Sequence, residues 1–513
     1  MRWEFPVGGA RAEAARVAQK LRRRSRFYVF LFEVREELFD DDFQEELMRA
    51  YEPRGQRPCP PALMAMAMLL QRYTGASDAD AVEEASTSRR WQLVLGNLGA
   101  EDAPFGQGSL VRFRERMIEH DLDKKLLDRT VELAKRTKKF GWKKLKVMFD
   151  SSPLEGAGRV EDTWNLIGRA MGKVVDAVAE ALGVERDQVI EAAGLTIFDA
   201  PSVKAALDID WSDEDERHDA LQRLLSEADV LAAWVREEVS GAAQPPVSTA
   251  LKLLDSVIEQ DIEPDPDGGG HRIRDAVAQD RLISVGDPEM RHGRKSRSKT
   301  IRGFKRHAII ANRIFLGTAV EPANRREHVP TGRLLDDARR HGVIKDAYFD
   351  RGYLPAPEVA ALLTEGAQIH SRSWHSSNRG YFVKEDFHID LDAGRVVCPA
   401  GATAPIAPSG AAYFTTKDCA RCRMKPSCTP AARRSVRIHP QEEMLIGLRE
   451  SLSTRTGREN YRSRVEVEHR LARVNAIQGP KARYKGARKN EMDLNRTAAV
   501  ANLQEVDRLR RAA

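Results

Sequence analysis

The sequence predicts a mixed α/β layer preceded by a helical N-terminal unit, and three observations predict it. Two short apolar runs, in "KKLKVMFDSSPLEG" (143–156) and "VIKDAYFDRGY" (343–353), end in Asp150 and Asp350. Each reads as a buried strand with a carboxylate at its C-terminal end, where open α/β sheets place their sites. Between them, "FKRHAIIA" (304–311) and the "IFLGTAVEP" that starts at Ile314 are joined by Asn312-Arg313 and read as a β-hairpin. From Phe27 to about Asp121 the pattern is helical.

Residues 1 to 24 are basic and helical. "PALMAMAMLLQRYTG" (61–75) is a helix ended by Gly75, and "SDADAVEEASTSRRWQLVLG" (77–96) starts afresh from a Ser cap. "GSLVRFRERMIEHD" (108–121) is amphipathic and carries Arg112, Arg114 and Arg116. Short helices with exposed arginines suit a helix-turn-helix-like DNA-binding unit as well as a plain bundle. After the first strand a long helical stretch runs from about 160 to 260, and "EPDPDGGG" (263–270) breaks it. Beyond the hairpin, "GRLLDDARRHG" (332–342) is a helix, followed by the Asp350 strand, a helix at 356–366 and a strand at 367–372. Residues 375 to 435 read as loop-rich. From about Gln441 the chain is helical to Ala513, with a break at 478–480.

A chain of 513 residues exceeds one ordinary core and suggests two to four domains of roughly 100–200 residues. Its 42% hydrophobic and 31% charged residues suit a soluble globular protein. No apolar run approaches the ~18 residues that would span a bilayer, and the N-terminal stretch lacks the apolar core of a secretory signal. The expected location is cytoplasmic. The net charge is only +6, but residues 287–313 hold nine Lys/Arg against two acids, while 208–219 is strongly acidic. Such a basic stripe suits a polyanion partner, or a solvated loop. Four of the five cysteines cluster: Cys398, Cys419, Cys422 and Cys428. "CARC" (419–422) has knuckle spacing, so in a reducing compartment one structural Zn²⁺ on these four is expected.

The stretch "YRSRVEVEHRLARVN" (461–475) holds two glutamates, and helical geometry separates them. At about 100° per residue, Tyr461, Arg464 and Asn475 fall within about 40° of Glu468. Val467, Leu471 and Val474 form the apolar stripe, with Glu468 at its edge. Glu466 falls among His469, Arg470 and Arg473, and an exposed Glu466–Arg470 pair is expected. Glu468 is therefore the candidate working carboxylate, with Tyr461 and Arg464 as phosphate-binding groups.

These residues resemble a known family. Tyr461, Arg464 and Glu468 match Y-x2-R-x3-E, the start of the Y-x2-R-x3-E-x6-K signature of bacterial insertion-sequence DDE transposases. Asp150 in "FDSSPLEGAG" and Asp350 in "YFDRGY" look like that family's two catalytic aspartates, and the resemblance runs from about 27 to 505. It implies an RNase H-like catalytic domain over 140–513, with a helical insertion at 160–285 and a Cys-rich zinc insertion at 375–435. An N-terminal helical DNA-binding domain would occupy 1–125. It also implies Mg²⁺ (or Mn²⁺) on Asp150, Asp350 and Glu468, and end cleavage followed by strand transfer. The implied partners are terminal inverted repeats and target DNA, bound by a homodimer or higher oligomer. Asn475 stands where the signature has lysine, and Lys481 or Lys485 are the expected replacements.

Chemistry fits that reading. Two hard cations about 4 Å apart can activate a nucleophile and steady a leaving oxygen, and they take carboxylate ligands. Arg294, Lys295, Arg302 and Lys305, with Lys481, Arg483 and Lys485 of "KARYKGARK" (481–489), would grip DNA backbone. Asp346 shares a strand face with Asp350 and is a candidate supporting acid. Glu155 and Asp162 lie near the first strand but end no strand. Trp164 is a core tryptophan or a base-stacking one. A non-catalytic DNA-binding relative and a metal-dependent nuclease of the same fold are the competing readings.

Overall fold

The structure, a computed structural model, describes residues 1–51, 58–137, 142–266, 268–295, 298–374 and 377–512. Parts of the expected segments at 52–57, 140–141, 267, 296–297, 375–376 and 513 lie outside the described residues.

A six-stranded sheet organises the chain. Its strands are β1 (Lys144–Glu155), β2 (Arg291–Arg294), β3 (Thr300–Ala311), β4 (Ile314–Pro322), β5 (Val343–Tyr348) and β6 (Gln368–His370). β1 pairs antiparallel with β3 on one side and parallel with β5 on the other, and β6 adds beyond β5. β2 and β4 both pair antiparallel with β3. The strand order fits an RNase H-like fold. Asn312 and Arg313 close the β3–β4 hairpin at φ 49° and 66°, the paired left-handed geometry of a type I′ turn.

β1 does not stop at Asp150. Its parallel partner leaves after Met148↔Tyr348, but β3 keeps pairing as far as Glu155↔Gly303. Asp150 is therefore mid-strand, opposite Ala308. A period-2 reading of β1 alone cannot see a second strand that prolongs the ladder.

The helix Ala487–Ala512 packs along β4 and against the N-terminal helices Pro61–Thr74 and Leu122–Lys135. β4 is an edge strand, and such edges need cover. Asn502 supplies it: its Oδ1 accepts from Phe315 N at 2.8 Å and its Nδ2 donates to Phe315 O at 2.9 Å, as a neighbouring strand would. One hydrophobic core runs from Trp3 through Leu69, Phe149 and Phe315 to Val506, so the N-terminal helices share their interior with the sheet.

Two other regions build cores of their own. Between β1 and β2, helices that include Thr163–Leu182, Glu214–Glu238 and Val247–Asp261 bury Val174, Leu224 and Leu254 together. The acidic run opens the second of these, where Asp213 accepts from the N–H groups of Asp215 and Glu216, the favourable end for negative charge. Trp164 is buried here, edge-on to Trp211 at 5.1 Å. The segment expected as loop-rich carries short strands at His388–Asp390, Arg395–Val397, Thr403–Pro405, Ala411–Tyr413 and Ser435–Arg437, around Val396, Phe414 and Val436. Three-residue strands are too short to show a period. Among the described residues no helix is long and apolar enough to cross a membrane.

In the N-terminal region Gly75 ends Pro61–Thr74 at φ 77°, and Ser77 forms a capping box with Asp80. The expected 77–96 helix is split at Ser88 into Asp78–Thr87 and Arg89–Leu95.

Candidate active site

Strand register brings the two aspartates together. The last β1–β5 pair is Met148↔Tyr348, and Asp150 and Asp350 each lie two residues beyond it. Because side chains alternate, Asp150 keeps the face of Met148. Asp350 remains extended (φ −74°, ψ 152°), then starts the 3₁₀ turn Arg351–Tyr353, and its Oδ1 accepts from Arg351 N at 2.8 Å. The helix Val465–Gln478 crosses β1 and carries Glu468. Asp150, Asp350 and Glu468 line one cavity of about 500 Å³, together with Arg464, Lys305, Glu327 and Asn475.

Arg464 ties two of the three acids. Its Nη1 stands 3.3 Å from Asp150 Oδ1 and its Nη2 donates to Glu468 Oε1 at 2.6 Å. Burial raises the Asp150 pKa, and the charges of Glu468 and Asp350 push the same way against Arg464 and the Ser151 N–H. Burial works against the Arg464 charge, but Asp150, Tyr461, Asp350 and Glu468 outweigh it and raise its pKa.

The stretch 461–475 is not one helix. Arg455–Arg462 ends and Val465–Gln478 begins across Ser463-Arg464, where N–H groups reach back three residues: Arg464 N to Tyr461 O at 3.1 Å and Val467 N to Arg464 O at 3.1 Å. Such 3₁₀ turns take 3.0 residues instead of 3.6 and rotate the faces of the helix beyond them. Within Val465–Gln478 itself the expected exposures are reversed, because of what packs against each face. The Glu468 side chain is 47% exposed, whereas Glu466 is half-buried with Oε1 lacking a hydrogen-bond partner among the described residues. The exposed Glu466–Arg470 pair does not form. Arg470 is buried, donates to Ala501 O at 2.9 Å and lies 3.6 Å from Glu505. On the side that looked polar and solvated, Ala487–Ala512 covers Arg470, while His469 and Arg473 stay exposed. Glu468 still faces Asp150, but across a cavity rather than from a buried stripe.

Tyr461 lies under Arg372 and Arg464, whose guanidinium carbons are 5.3 and 5.9 Å from its ring centre. It lines an adjoining cavity of about 930 Å³ with Asp350, Arg351, Arg372, Arg449 and Arg458. Sequence reading missed those arginines, which are scattered through segments with no common motif.

The other expected cations divide. Arg294, Lys295 and Lys305 line the carboxylate cavity. Burial lowers the Lys305 pKa, against the opposing charge of Glu327. Arg302 is exposed on β3. Arg306, in the same basic run, is a buried clamp that donates to Pro153 O at 2.6 Å and Gly479 O at 3.0 Å. The Lys481 backbone forms a parallel β-bridge with Glu155 at the end of β1, Arg483 donates to Ala76 O at 3.2 Å, and Lys485 lines a cavity of the helical insertion. Neither Lys481 nor Lys485 lines the cavity of Asn475, whose Oδ1 accepts from Ser152 Oγ at 3.3 Å. Lys295 and Lys305 are the lysines found there. Asp346 is bonded to His370 Nε2 at 2.9 Å, and neither it nor Asp162, which caps Thr163–Leu182, lines the cavity. Glu155 accepts from Arg302 N at 3.2 Å. In the N-terminal unit Arg112 is exposed and Arg116 stacks on Tyr51 at 4.4 Å, but Arg114 is buried in a two-pronged pair with Asp78.

Cys398, Cys419, Cys422 and Cys428 carry free thiols and line a common cavity of about 570 Å³. Burial raises the Cys428 pKa and the other three cysteines add to it, against Arg434. Among the described residues no three His, Cys, Asp or Glu side chains are already gathered as a metal-binding cluster. The donor chemistry nonetheless suits two kinds of ion. Crowded carboxylate oxygens, whose burial and mutual repulsion raise the Asp150 pKa, suit a hard divalent cation, and four thiols suit zinc.

Two segments match known protein families. Residues 397–506 match a transposase DDE domain, and residues 17–116 match a transposase domain (DUF772). The first spans Glu468 and the four clustered cysteines, while Asp150 and Asp350 lie outside both. No curated protein and no solved structure matches the chain.

Proposed function

We propose that the chain is an insertion-sequence DDE transposase, a nucleic-acid-processing enzyme with DNA as its partner, which cuts and joins DNA at Asp150, Asp350 and Glu468; the two transposase-family matches support this reading. The observation that carries this reading is the shared register: both aspartates lie two residues past the last β1–β5 pair and line the cavity of Glu468. Divalent Mg²⁺ or Mn²⁺ on these carboxylates would activate water, or a 3′-hydroxyl, and stabilise the leaving oxygen. Arg464 and Tyr461 hydrogen-bond the phosphate beside the acids. Lys305, Arg294 and Lys295 line the same cavity and draw the DNA backbone toward it.

The helices of 1–125 add contacts to the terminal inverted repeats through Arg112 and Arg116. Lys481, Arg483, Lys485 and Arg302 contact DNA away from the reacting phosphate. Cys398, Cys419, Cys422 and Cys428 hold one structural Zn²⁺ that completes the small β region. The protein works in the cytoplasm as a homodimer or higher oligomer on paired ends.

Labelled DNA bearing the element's terminal repeats tests the reading. With Mg²⁺ the native protein cleaves the ends and joins them to target DNA, while Asp150→Asn and Asp350→Asn bind without cleaving. Normal cleavage by either variant would remove the assignment. Cleavage without joining would make the protein a nuclease, and binding alone a non-catalytic relative.

A further inference from the structure

Glu327 brings a fourth carboxylate to the cavity of Asp150, Asp350 and Glu468. It lies in the connection between β4 and the helix Thr331–Arg339. Two contacts place it between the aspartates. Ser151, the residue after Asp150, donates from Oγ to Glu327 Oε1 at 3.0 Å. At Gly352, two residues after Asp350, a Cβ would stand 2.0 Å from Glu327 Oε2, so the carboxylate rests against the Asp350 turn where only a hydrogen fits. Below both, buried Tyr353 is hydrogen-bonded to His307 Nδ1 at 2.8 Å. Burial raises its pKa, and the charges of Glu327, Asp150 and Asp350 raise it further.

A purely structural glutamate would be expected to neutralise the nearby lysine. Lys305 instead donates to Arg325 O at 2.9 Å, and among the described residues Glu327 Oε2 accepts no hydrogen bond. Half-buried carboxylate oxygens normally find a donor or a cation. We propose that Glu327 is a fourth carboxylate of the active site and supplies an oxygen ligand, beside Asp150 and Asp350, to the divalent cation. This rests on the reading of those aspartates as cation ligands.

Mn²⁺ binding to the full-length protein, followed by electron paramagnetic resonance, tests it. Glu327→Gln keeps the shape and the acceptor for Ser151, and should weaken Mn²⁺ about 10-fold or more. Gly352→Ala keeps the charge but displaces the carboxylate, and should weaken Mn²⁺ in the same direction. Unchanged Mn²⁺ affinity in Glu327→Gln, with a loss in Asp150→Asn, would overturn the proposal and leave the aspartates standing. A loss in Glu327→Gln with none in Gly352→Ala would make the effect one of net charge and overturn the ligand role. No loss in Glu327→Gln or Asp150→Asn would overturn the aspartate reading as well.

Discussion

Asp493→Asn is expected to destabilise the protein by roughly 3–5 kcal/mol, the usual cost of stranding one side of a buried ion pair. Asp493 is fully buried and lies 3.2 Å from Arg72 and 2.5 Å from Arg496, both buried as well. Burial opposes its charge, but Arg496, Arg72 and Gln478 hold its pKa at about 2, against an ordinary 3.8. That difference alone corresponds to roughly 2–3 kcal/mol. The larger figure adds the two guanidinium groups left without their carboxylate. Because the folded pKa is depressed, this stability is fully present above about pH 4 and is lost as pH falls toward 2. The variant should therefore unfold at lower urea and lose part of the native acid limb in that window. Function is coupled to it. Gln478, which donates to Asp493 Oδ2 at 3.0 Å, ends the helix that carries Glu468. Cleavage should fall along with stability. A loss below 1 kcal/mol would refute the reasoning, because it would mean that the two arginines find water or other acceptors without cost.

Named contacts set three further outcomes. Glu468→Gln should abolish Mg²⁺-dependent cleavage of end DNA, while Glu466→Gln, at a carboxylate with one unpartnered buried oxygen, should leave cleavage intact and stability unchanged or slightly raised; an inactive Glu466→Gln beside an active Glu468→Gln would reverse the assignment. Arg112→Ala should weaken end binding and reduce the salt slope by about one, whereas Arg114→Ala should lower stability instead, since Arg114 is locked on Asp78; gel shifts across a salt series and melting curves separate the two. Elemental analysis should find about one zinc per chain, lost in Cys419→Ser and Cys422→Ser together; metal-free native protein would remove the zinc assignment.

Local pattern carried the sheet well. The hairpin turn at Asn312-Arg313, both Asp-bearing strands and the helix ended by Gly75 are each legible from turn chemistry and apolar runs a few residues long. What failed needed partners distant in sequence. Asp150 is mid-strand because β3, about 150 residues later, extends its ladder to Glu155. Arg470 looked solvated because the helix that buries it begins 17 residues on, past a break. Glu327 lies in "ANRREHVP", a connection with no period, and becomes visible as a site residue only where Ser151 and Gly352 meet it. Helical projection across 461–475 chose Glu468 but misjudged its surroundings, since it could not show that Ala487–Ala512 would cover Arg470 while Glu468 opens onto a cavity.

The place where β1 loses β5 explains why the site forms there. Up to Met148 the strand is paired on both sides; from Phe149 onward only the β3 ladder continues. Asp150 is thus held by a rigid antiparallel ladder on one flank while its other flank is open to Asp350 and the Glu468 helix. A site built on a strand is held more tightly than one on a loop, and on the proposed reading the open flank is where a substrate phosphate would enter. Arg464 is the charge that makes this crowding tolerable, bridging Asp150 and Glu468. Its guanidinium lies 3.3 Å from Asp150 and 2.6 Å from Glu468, so its charge offsets part of the cost that burial and the neighbouring acids impose on Asp150 and holds two of the acids together.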